Sequence, residues 1–257
     1  MITSIAEGAS TPLVSVITAL YNSGQYINEA IDSVLEQTYP NWEMLIVDDG
    51  STDESAEIVA ARAAADSRIR FFQLPKNHGM PFAARNLATA NAAGKYIAFL
   101  DSDDMWMPEK LEKQVAFMER NDYPISFTGY NKQYEGNAGR KKFIAAKSVV
   151  TYRDLLKTNH IGCLTAMYNA EKTGKLEQHP HKYEDYIMWL QVLKKGYKAY
   201  GLNEALAVYR VHSGSISTNK LRMALINWKI YRNIMKLGVL SASWYFLHYC
   251  YYGLKKI

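Results

Sequence analysis

Strand patterns alternate with helix patterns along the first hundred residues, and this alternation limits the possible folds more than any other feature. Val14–Leu20 is a continuous β-branched and apolar run, typical of a strand buried on both faces, and Tyr26–Leu35 carries apolar residues at helical spacing. Further strands are predicted at Met44–Val47, Ile69–Leu74 and Tyr96–Leu100. Strands and helices alternating at these lengths predict an α/β fold with a Rossmann-like, mostly parallel central sheet and flanking helices.

The pattern changes from about residue 125. Ile125–Tyr134 and Phe143–Val150 are predicted strands on either side of a polar turn, and they could form an antiparallel hairpin. Three further elements are predicted: a helix at Glu184–Lys195, a short strand at Ala205–Val211, and a helix with a basic face at Leu221–Leu237. We expect an α/β domain over residues 1–218 and a helical C-terminal extension over residues 219–257.

Charge is distributed unevenly along the chain. The net charge of +5 combines 19 basic and 24 acidic side chains in residues 1–193 with 11 basic and one acidic, Glu204, in residues 194–257. A basic C-terminal segment suggests an anionic partner, either membrane phospholipid or nucleic acid. Residues 237–254 carry no formally charged side chain but several tyrosines and tryptophans, so we expect them to lie at a membrane interface rather than to span the membrane. The equally weighted alternative is a helix that packs on the domain or forms an oligomer contact.

The N-terminus and the cysteines predict a cytoplasmic protein. Met1–Pro12 is small and polar and does not have the pattern of a signal peptide. The two cysteines, Cys163 and Cys250, are far apart in sequence, which argues against a disulfide framework or a zinc site with paired ligands.

Two acidic clusters directly follow predicted strands. Asp48-Asp49 and Asp101-Ser102-Asp103-Asp104 would both lie at the carboxyl edge of a parallel sheet, where such sheets bind ligands. In an extended segment the carboxylates of Asp101 and Asp103 point to one side, which suits Mg²⁺ or Mn²⁺ that also binds phosphate oxygens. The structural alternatives are a helix cap for the second cluster and a turn-and-cap role within the first.

A nucleotide at this edge would account for other residues. Asp49 can accept a hydrogen bond from the N3–H of uracil, a donor that cytosine lacks, while Thr18 could supply a hydroxyl and Tyr21 a stacking face. Arg85 could bind a diphosphate with two hydrogen bonds, and Gly79 would allow the backbone to approach closely. The alternative for Arg85 is an ordinary charge on a helix surface.

Two further candidates come later in the chain. Glu184-Asp185 opens a predicted helix, whose dipole would keep a carboxylate ionised as a general base for a sugar hydroxyl; capping is the alternative. His212 could bring an imidazole to a metal, or it could be a solvated turn residue. The sequence shows no Gly-x-Gly-x-x-Gly after a strand, no phosphate loop and no Gly-x-Ser-x-Gly, which argues against a dehydrogenase, a P-loop kinase and a serine hydrolase.

Five motifs, in this order, resemble those of family 2 glycosyltransferases, and the resemblance covers roughly residues 12–218. They are Val14-Ser15-Val16-Ile17-Thr18-Ala19-Leu20-Tyr21-Asn22, Ile46-Val47-Asp48-Asp49-Gly50-Ser51-Thr52-Asp53, Ala84-Arg85-Asn86, Phe99-Leu100-Asp101-Ser102-Asp103-Asp104 and Glu184-Asp185-Tyr186-Ile187-Met188-Trp189-Leu190. The resemblance implies a GT-A fold, a nucleotide-sugar donor and inversion at the anomeric carbon.

The resemblance also implies roles for individual residues. Asp101-Ser102-Asp103 is similar to the metal-binding Asp-x-Asp of the family, with Asp103 as the direct ligand. Asp49 matches the residue that contacts the base, Thr18 and Arg85 match donor-site positions, and Asp185 matches the catalytic base.

The Tyr-Arg-x-His segment that ends at His212 resembles a stretch that closes over the donor or reaches the metal.

Within the family, the chain looks like bacterial enzymes of lipopolysaccharide, capsule or teichuronic-acid assembly. The Gln-x-x-Arg-Trp motif and the several membrane helices of processive synthases are not seen in the sequence, so we expect single sugar additions. The expected activity is inverting, Mn²⁺- or Mg²⁺-dependent transfer of a hexose or N-acetylhexosamine from a UDP-sugar to a lipid-linked saccharide.

The expected location is the cytoplasm, including the cytoplasmic face of the inner membrane, with no nucleic-acid partner. A nucleotidyltransferase and a catalytically silent nucleotide- or sugar-binding protein are the alternatives.

Overall fold

The computed structural model describes residues 11–135, 137–211 and 220–255. The strands of this part of the chain are β1 (Val14–Leu20), β2 (Trp42–Asp48), β3 (Ile69–Gln73), β4 (Tyr96–Phe99), β5 (Met105–Trp106), β6 (Ile125–Tyr134), β7 (Asn137–Ile144), β8 (Val149–Val150), β9 (Ala166–Asn169) and β10 (Ala199–Val211). The helices are α1 (Ile27–Leu35), α2 (Ser55–Ala65), α3 (Phe82–Asn91), α4 (Lys110–Asn121), α5 (Tyr152–Lys157), α6 (Ala170–Thr173), α7 (Glu184–Lys194), α8 (Lys220–Lys229) and α9 (Val239–Lys255).

These ten strands belong to one sheet, in which eight follow the order β3-β2-β1-β4-β9-β6-β10-β5, while β7 pairs with β6 and β8 with β10 beside this path. The first four strands of this order are parallel, as the alternating pattern predicted. Beyond β4 the sheet is mixed, because β9 runs antiparallel to both of its neighbours, whereas β6 and β10 are parallel to each other. The parallel half brings the carboxyl ends of β1, β2 and β4 to one edge.

Each face of the sheet is covered by its own apolar cluster. Alternate residues of one strand contribute to opposite clusters, as Ile17 and Val16 do in β1. One cluster includes buried residues of α3, α5 and α7, and the other includes buried residues of α1, α2 and α4. This two-sided burial explains why β1 and β2 read as nearly continuous apolar runs.

The predicted hairpin is present, but its second strand lies earlier than expected. β7 pairs antiparallel with β6 and ends at Ile144, while Val149–Val150 pairs with β10 instead. The segment assigned to a polar turn therefore contains much of a strand. Lys141 and Lys142 are exposed and lie opposite Gln133 and Lys132, so pairing with β6 satisfies the backbone while the polar side chains face water. β10 also begins six residues before the predicted Ala205–Val211.

The C-terminal helices pack on the domain. α8 continues into a π-helical segment, Ile230–Ile234, and the hydroxyl of Tyr231 donates to the backbone oxygen of Leu156 in α5. Ala242 of α9 is fully buried, and Phe246 contacts Trp228 edge to face with ring centroids 5.5 Å apart. Among the helices described, none is both long enough and apolar enough to cross a membrane.

Candidate active site

A cleft of about 560 Å³ opens at the carboxyl edge of the parallel strands. Its walls come from the segments after β1, β2 and β4 and from the starts of α3 and α7. Of the predicted site residues, seven line this cleft: Tyr21, Asp49, Gly79, Arg85, Asp101, Ser102 and Asp103. Its volume lies in the range of small-molecule and cofactor sites.

The two adjacent acids after β2 have different partners. Asp48 is buried away from the cleft, and its Oδ1 accepts hydrogen bonds from Ser51 N at 3.1 Å and Ser51 Oγ at 2.5 Å, so it fixes the turn. Asp49 faces the cleft and accepts from His78 N at 3.1 and 3.0 Å, while the His78 ring Nδ1 lies 2.7 Å from Oδ1. The turn role that the sequence left open for one of the pair therefore fits Asp48.

The chain leaves β2 through Gly50, which has a φ of +77°. A Cβ on this residue would lie 3.0 Å from Asn77 N, so glycine meets both the backbone conformation and the close approach of the segment after β3. That approach brings His78 to Asp49.

The second acidic cluster lies between the cleft and the core. Asp101 and Asp103 both line the cleft, but so does Ser102 between them. The segment is a turn, in which Asp104 N donates to the backbone oxygen of Asp101 at 3.1 Å, and not the extended stretch on which the two-residue spacing argument depended. Ser102 is buried, and its hydroxyl lies 2.8 Å from that of Ser23, which ties the segment after β4 to the one after β1. Asp104 turns inward and accepts from Arg210 N at 2.8 Å; burial, with the nearby Asp101 and Asp103, raises the pKa of its carboxyl.

Arg85 is buried between carboxylates rather than directed into open solvent. Its guanidinium pairs with Asp101 on one side and lies 2.7 Å from Glu184 Oε1 on the other. This pairing connects α3, the segment after β4 and the first residue of α7. Arg85 thus lines the cleft, and its guanidinium already forms ion pairs with two acids.

The acidic pair that opens α7 has unusual electrostatics. Burial raises the pKa of Glu184 to about 7, although the neighbouring Arg85 opposes this shift. Burial also raises the pKa of Asp185, and Arg85 again opposes the shift. Glu184 lines the cleft, and Asp185 follows it in the first turn of α7, partly buried. The N-cap residue Tyr183 makes no side-chain cap hydrogen bond, whereas hydrogen bonds from backbone groups of the first turn to the two acids lower the pKa of each carboxyl and oppose the effect of burial.

Asp48 and Asp185, described above, are not among the residues that line the cleft, and two predicted residues remain. Thr18 is fully buried in β1, and its hydroxyl has no hydrogen-bond partner in the described structure, so a direct contact with a ligand in the cleft would require it to become exposed. His212 lies outside the described residues.

Several cleft residues were not predicted, because their roles depend on long-range pairing. Asn22, Tyr26, Lys182 and Tyr209 line the cleft, and His78 holds Asp49 from behind. The sequence feature that could have indicated Lys182 is its position two residues before Glu184. Tyr209 is the first residue of the Tyr-Arg-x-His segment that ends at His212, so the sequence analysis marked this segment but not the tyrosine itself.

The chemistry of the donor set suits a divalent cation that shares its coordination with phosphate. Carboxylate oxygens, as on Asp101 and Asp103, select Mg²⁺ or Mn²⁺. Within residues 11–135, 137–211 and 220–255, no three or more His, Cys, Asp or Glu side chains are grouped so as to hold a metal ion. Two carboxylates leave other coordination positions of such a cation open to substrate oxygens and water.

The family model "Glycosyl transferase family 2" matches residues 15–178. The chain belongs to this family, as its motifs predicted.

Two relatives of similar length are described as a glycosyltransferase and a glucosyltransferase. The chain is 45% identical over 246 residues to a putative teichuronic acid biosynthesis glycosyltransferase, TuaG, of Bacillus subtilis (strain 168), covering 95% of this chain and 97% of that one. It is 36% identical over 246 residues to WfgD of Escherichia coli, a UDP-Glc:alpha-D-GlcNAc-diphosphoundecaprenol beta-1,3-glucosyltransferase, covering 95% and 94%.

Solved structures share the fold. S. aureus TarS 1-349 in complex with UDP-GlcNAc has a TM-score of 0.70 at 21% identity, covering 92% of this chain and 71% of that one. The mannosyltransferase PcManGT from Pyrobaculum calidifontis, in complex with GDP-Man and Mn²⁺, has a TM-score of 0.67 at 20% identity, covering 92% and 70%. These similarities confirm the predicted GT-A fold.

Proposed function

We propose that the chain transfers a sugar from a UDP-sugar to a hydroxyl of a lipid-linked saccharide, with inversion, in the synthesis of a bacterial surface polysaccharide. One observation carries the proposal: acidic side chains from β2, β4 and α7 converge on one cleft. Arg85 offsets part of the mutual repulsion among these acids, and a bound cation would offset more of it. The descriptions of TuaG and WfgD support the same class of product.

The donor would lie along the edge between β1 and β4. Asp49, held by His78, would accept a hydrogen bond from the N3–H of uracil, and Tyr21, about half exposed, would stack on the base. Asp103, with Asp101, would hold Mg²⁺ or Mn²⁺, which when bound stabilises the charge that develops on the departing diphosphate. Arg85 keeps Asp101 in place from behind.

Asp185 would be the general base. It takes the proton from the acceptor hydroxyl as the oxygen attacks the anomeric carbon from the face opposite UDP. The bond between that carbon and the β-phosphate oxygen breaks, its electron pair leaves with UDP, and one displacement inverts the configuration. A carboxyl whose pKa burial has raised is a stronger base than an exposed aspartate.

Calorimetric titration of UDP, with GDP and CDP as controls, tests the donor site with and without Mn²⁺. We expect binding that requires the metal and is confined to UDP. If none of the three nucleotides bound under either condition, the proposed donor site would be wrong.

The Asp185→Asn variant tests the base. We expect it to bind UDP as the wild type does and to lose transfer by about 100-fold or more, since general base catalysis typically contributes 10²–10⁴-fold. Transfer at a near wild-type rate would refute the assignment.

One face of α9 would bind the membrane that holds the lipid-linked acceptor. Leu240, Trp244, Leu247 and Tyr251 are 88%, 60%, 67% and 51% exposed. At about 100° per residue they fall within about 60° of arc around the helix axis, opposite the buried Ala242. No acidic side chain follows Glu204 in the sequence, so the surroundings suit an anionic lipid surface.

Flotation with phosphatidylglycerol-containing vesicles tests this surface. We expect the Leu240→Gln/Leu247→Gln variant to bind at least tenfold more weakly, since burying each leucine contributes about 1.5–3 kcal/mol. The control is Phe143→Gln, which alters an exposed apolar residue of β7. Equal flotation of the wild type and the double variant would refute the proposed contact between α9 and the membrane.

A further inference from the structure

We infer that Lys182 binds the diphosphate of the acceptor, an inference that rests on the proposed function. Lys182 is exposed and lines the cleft two residues before Glu184, at the start of α7. It lies in the segment that leads directly into Asp185, the proposed base. Glu184, which lines the cleft with Lys182, directly precedes Asp185, so the lysine and the proposed base belong to the same short segment, although Asp185 is not itself among the lining residues.

The charged residues that line the cleft indicate that Lys182 can bind an anion. The lining residues include the four acids Asp49, Asp101, Asp103 and Glu184, but only two cations that the structure describes, Arg85 and Lys182. The charge of Arg85 is already matched by Asp101 and by Glu184 at 2.7 Å. In the described part of the chain, Lys182 makes no ion pair or side-chain hydrogen bond. It is therefore the lining cation still available to an anionic ligand.

The chemistry of the acceptor class supplies such a ligand. The relative WfgD acts, by its description, on a sugar linked to a lipid through a diphosphate. When a hydroxyl of that sugar is at Asp185, the diphosphate lies about one sugar ring away. A lysine with a flexible four-carbon stem can meet a phosphate as a point charge at variable distance. The donor diphosphate, in contrast, would lie at the segment after β4 with Asp103.

Geranyl diphosphate is a suitable probe, since it carries a prenyl diphosphate without any sugar. It is titrated by calorimetry into the full chain saturated with UDP and Mn²⁺, and again without UDP, with geraniol as the phosphate-free control. We expect Lys182→Ala to weaken geranyl diphosphate binding by about ten- to a hundredfold, the range of a charge-assisted contact, and Lys182→Arg to restore most of it. UDP affinity should stay within about twofold.

The control variant is Lys198→Ala, which removes an exposed lysine that does not line the cleft. Unchanged binding of geranyl diphosphate by Lys182→Ala would overturn the inference, as would absence of binding to the wild type. Selective loss of UDP affinity would also overturn it by assigning the lysine to the donor. Failure of the proposed function gives a different result, because the wild-type chain would then not bind UDP.

Discussion

Replacing Arg85 with methionine removes the one buried cation that joins three parts of the site. The side chains of Arg85 and Glu184 are 6% and 7% exposed, whereas that of Asp101 is 28% exposed. Removing one partner of a buried pair typically destabilises by about 3–5 kcal/mol, because the remaining charge is left uncompensated. For a chain of this length that corresponds to a fall in melting temperature of roughly 6–20 °C.

The loss of stability in the Arg85→Met variant should be larger at high pH than at low pH. The pKa of Glu184 is about 7 in the folded chain, above its ordinary value of 4.5. The folded state therefore binds this proton more tightly, so the contribution of Glu184 to stability is fully present below about pH 4.5 and is lost as the pH rises towards 7. Without Arg85 the pKa rises further, and the loss continues above pH 7. The variant should thus be destabilised more at pH 8 than at pH 5, where Glu184 is neutral.

Urea denaturation at pH 5 and pH 8 measures both effects. The control is Arg62→Met, which breaks a 2.5 Å pair with Asp32 whose side chains are 31% and 48% exposed. Exposed pairs contribute about 0–1 kcal/mol, so this variant should change little at either pH. An Arg85→Met variant no less stable than Arg62→Met, or equally destabilised at both pH values, would refute the electrostatic account of the site.

Two other substitutions test local features. Asp49→Asn replaces a charged acceptor with a neutral one, so we expect UDP to bind about tenfold more weakly in calorimetry. Asp32→Asn is the surface control. If the affinity for UDP did not change, Asp49 would not be the residue that recognises the base. Gly201→Ala would place a Cβ 2.2 Å from the backbone oxygen of Lys147 and should cost about 1–3 kcal/mol in urea denaturation. Gly238→Ala meets no atom within 4 Å, so an equal loss in both glycine variants would contradict the steric argument.

The sequence could predict the parallel half of the sheet because its signals are local. β1 and β2 are buried on both faces, so their apolar runs needed no knowledge of partners. The hairpin was placed less accurately, since Lys141 and Lys142 are strand residues only through their pairing with β6. The early part of β10 was missed for a related reason: Asn203 and Glu204 are exposed and polar, and the ladder with β6 is irregular around them.

The acids of the site were predictable, but their partners were not. Residues that directly follow the strands of a parallel sheet lie at its carboxyl edge. The sequence could therefore place Asp49, Asp101 and Asp103 together, and all three line the cleft. The pairing of Arg85 with Glu184 joins residues 99 positions apart, and the contact of His78 with Asp49 joins residues 29 apart. Such pairs depend on how loops cross the sheet edge, which periodicity does not record.

These pairings change what the acidic edge implies about the site. Asp49 and Asp101 each have a positioned partner, His78 and Arg85, before any ligand binds. Part of the repulsion among the acids is thus offset by the chain itself, and the carboxylates are held in fixed places rather than free to turn away from one another. A site preorganised in this way loses less conformational freedom when the donor binds. The same logic gives Lys182 its significance, because an exposed cation without such a partner remains available to a ligand.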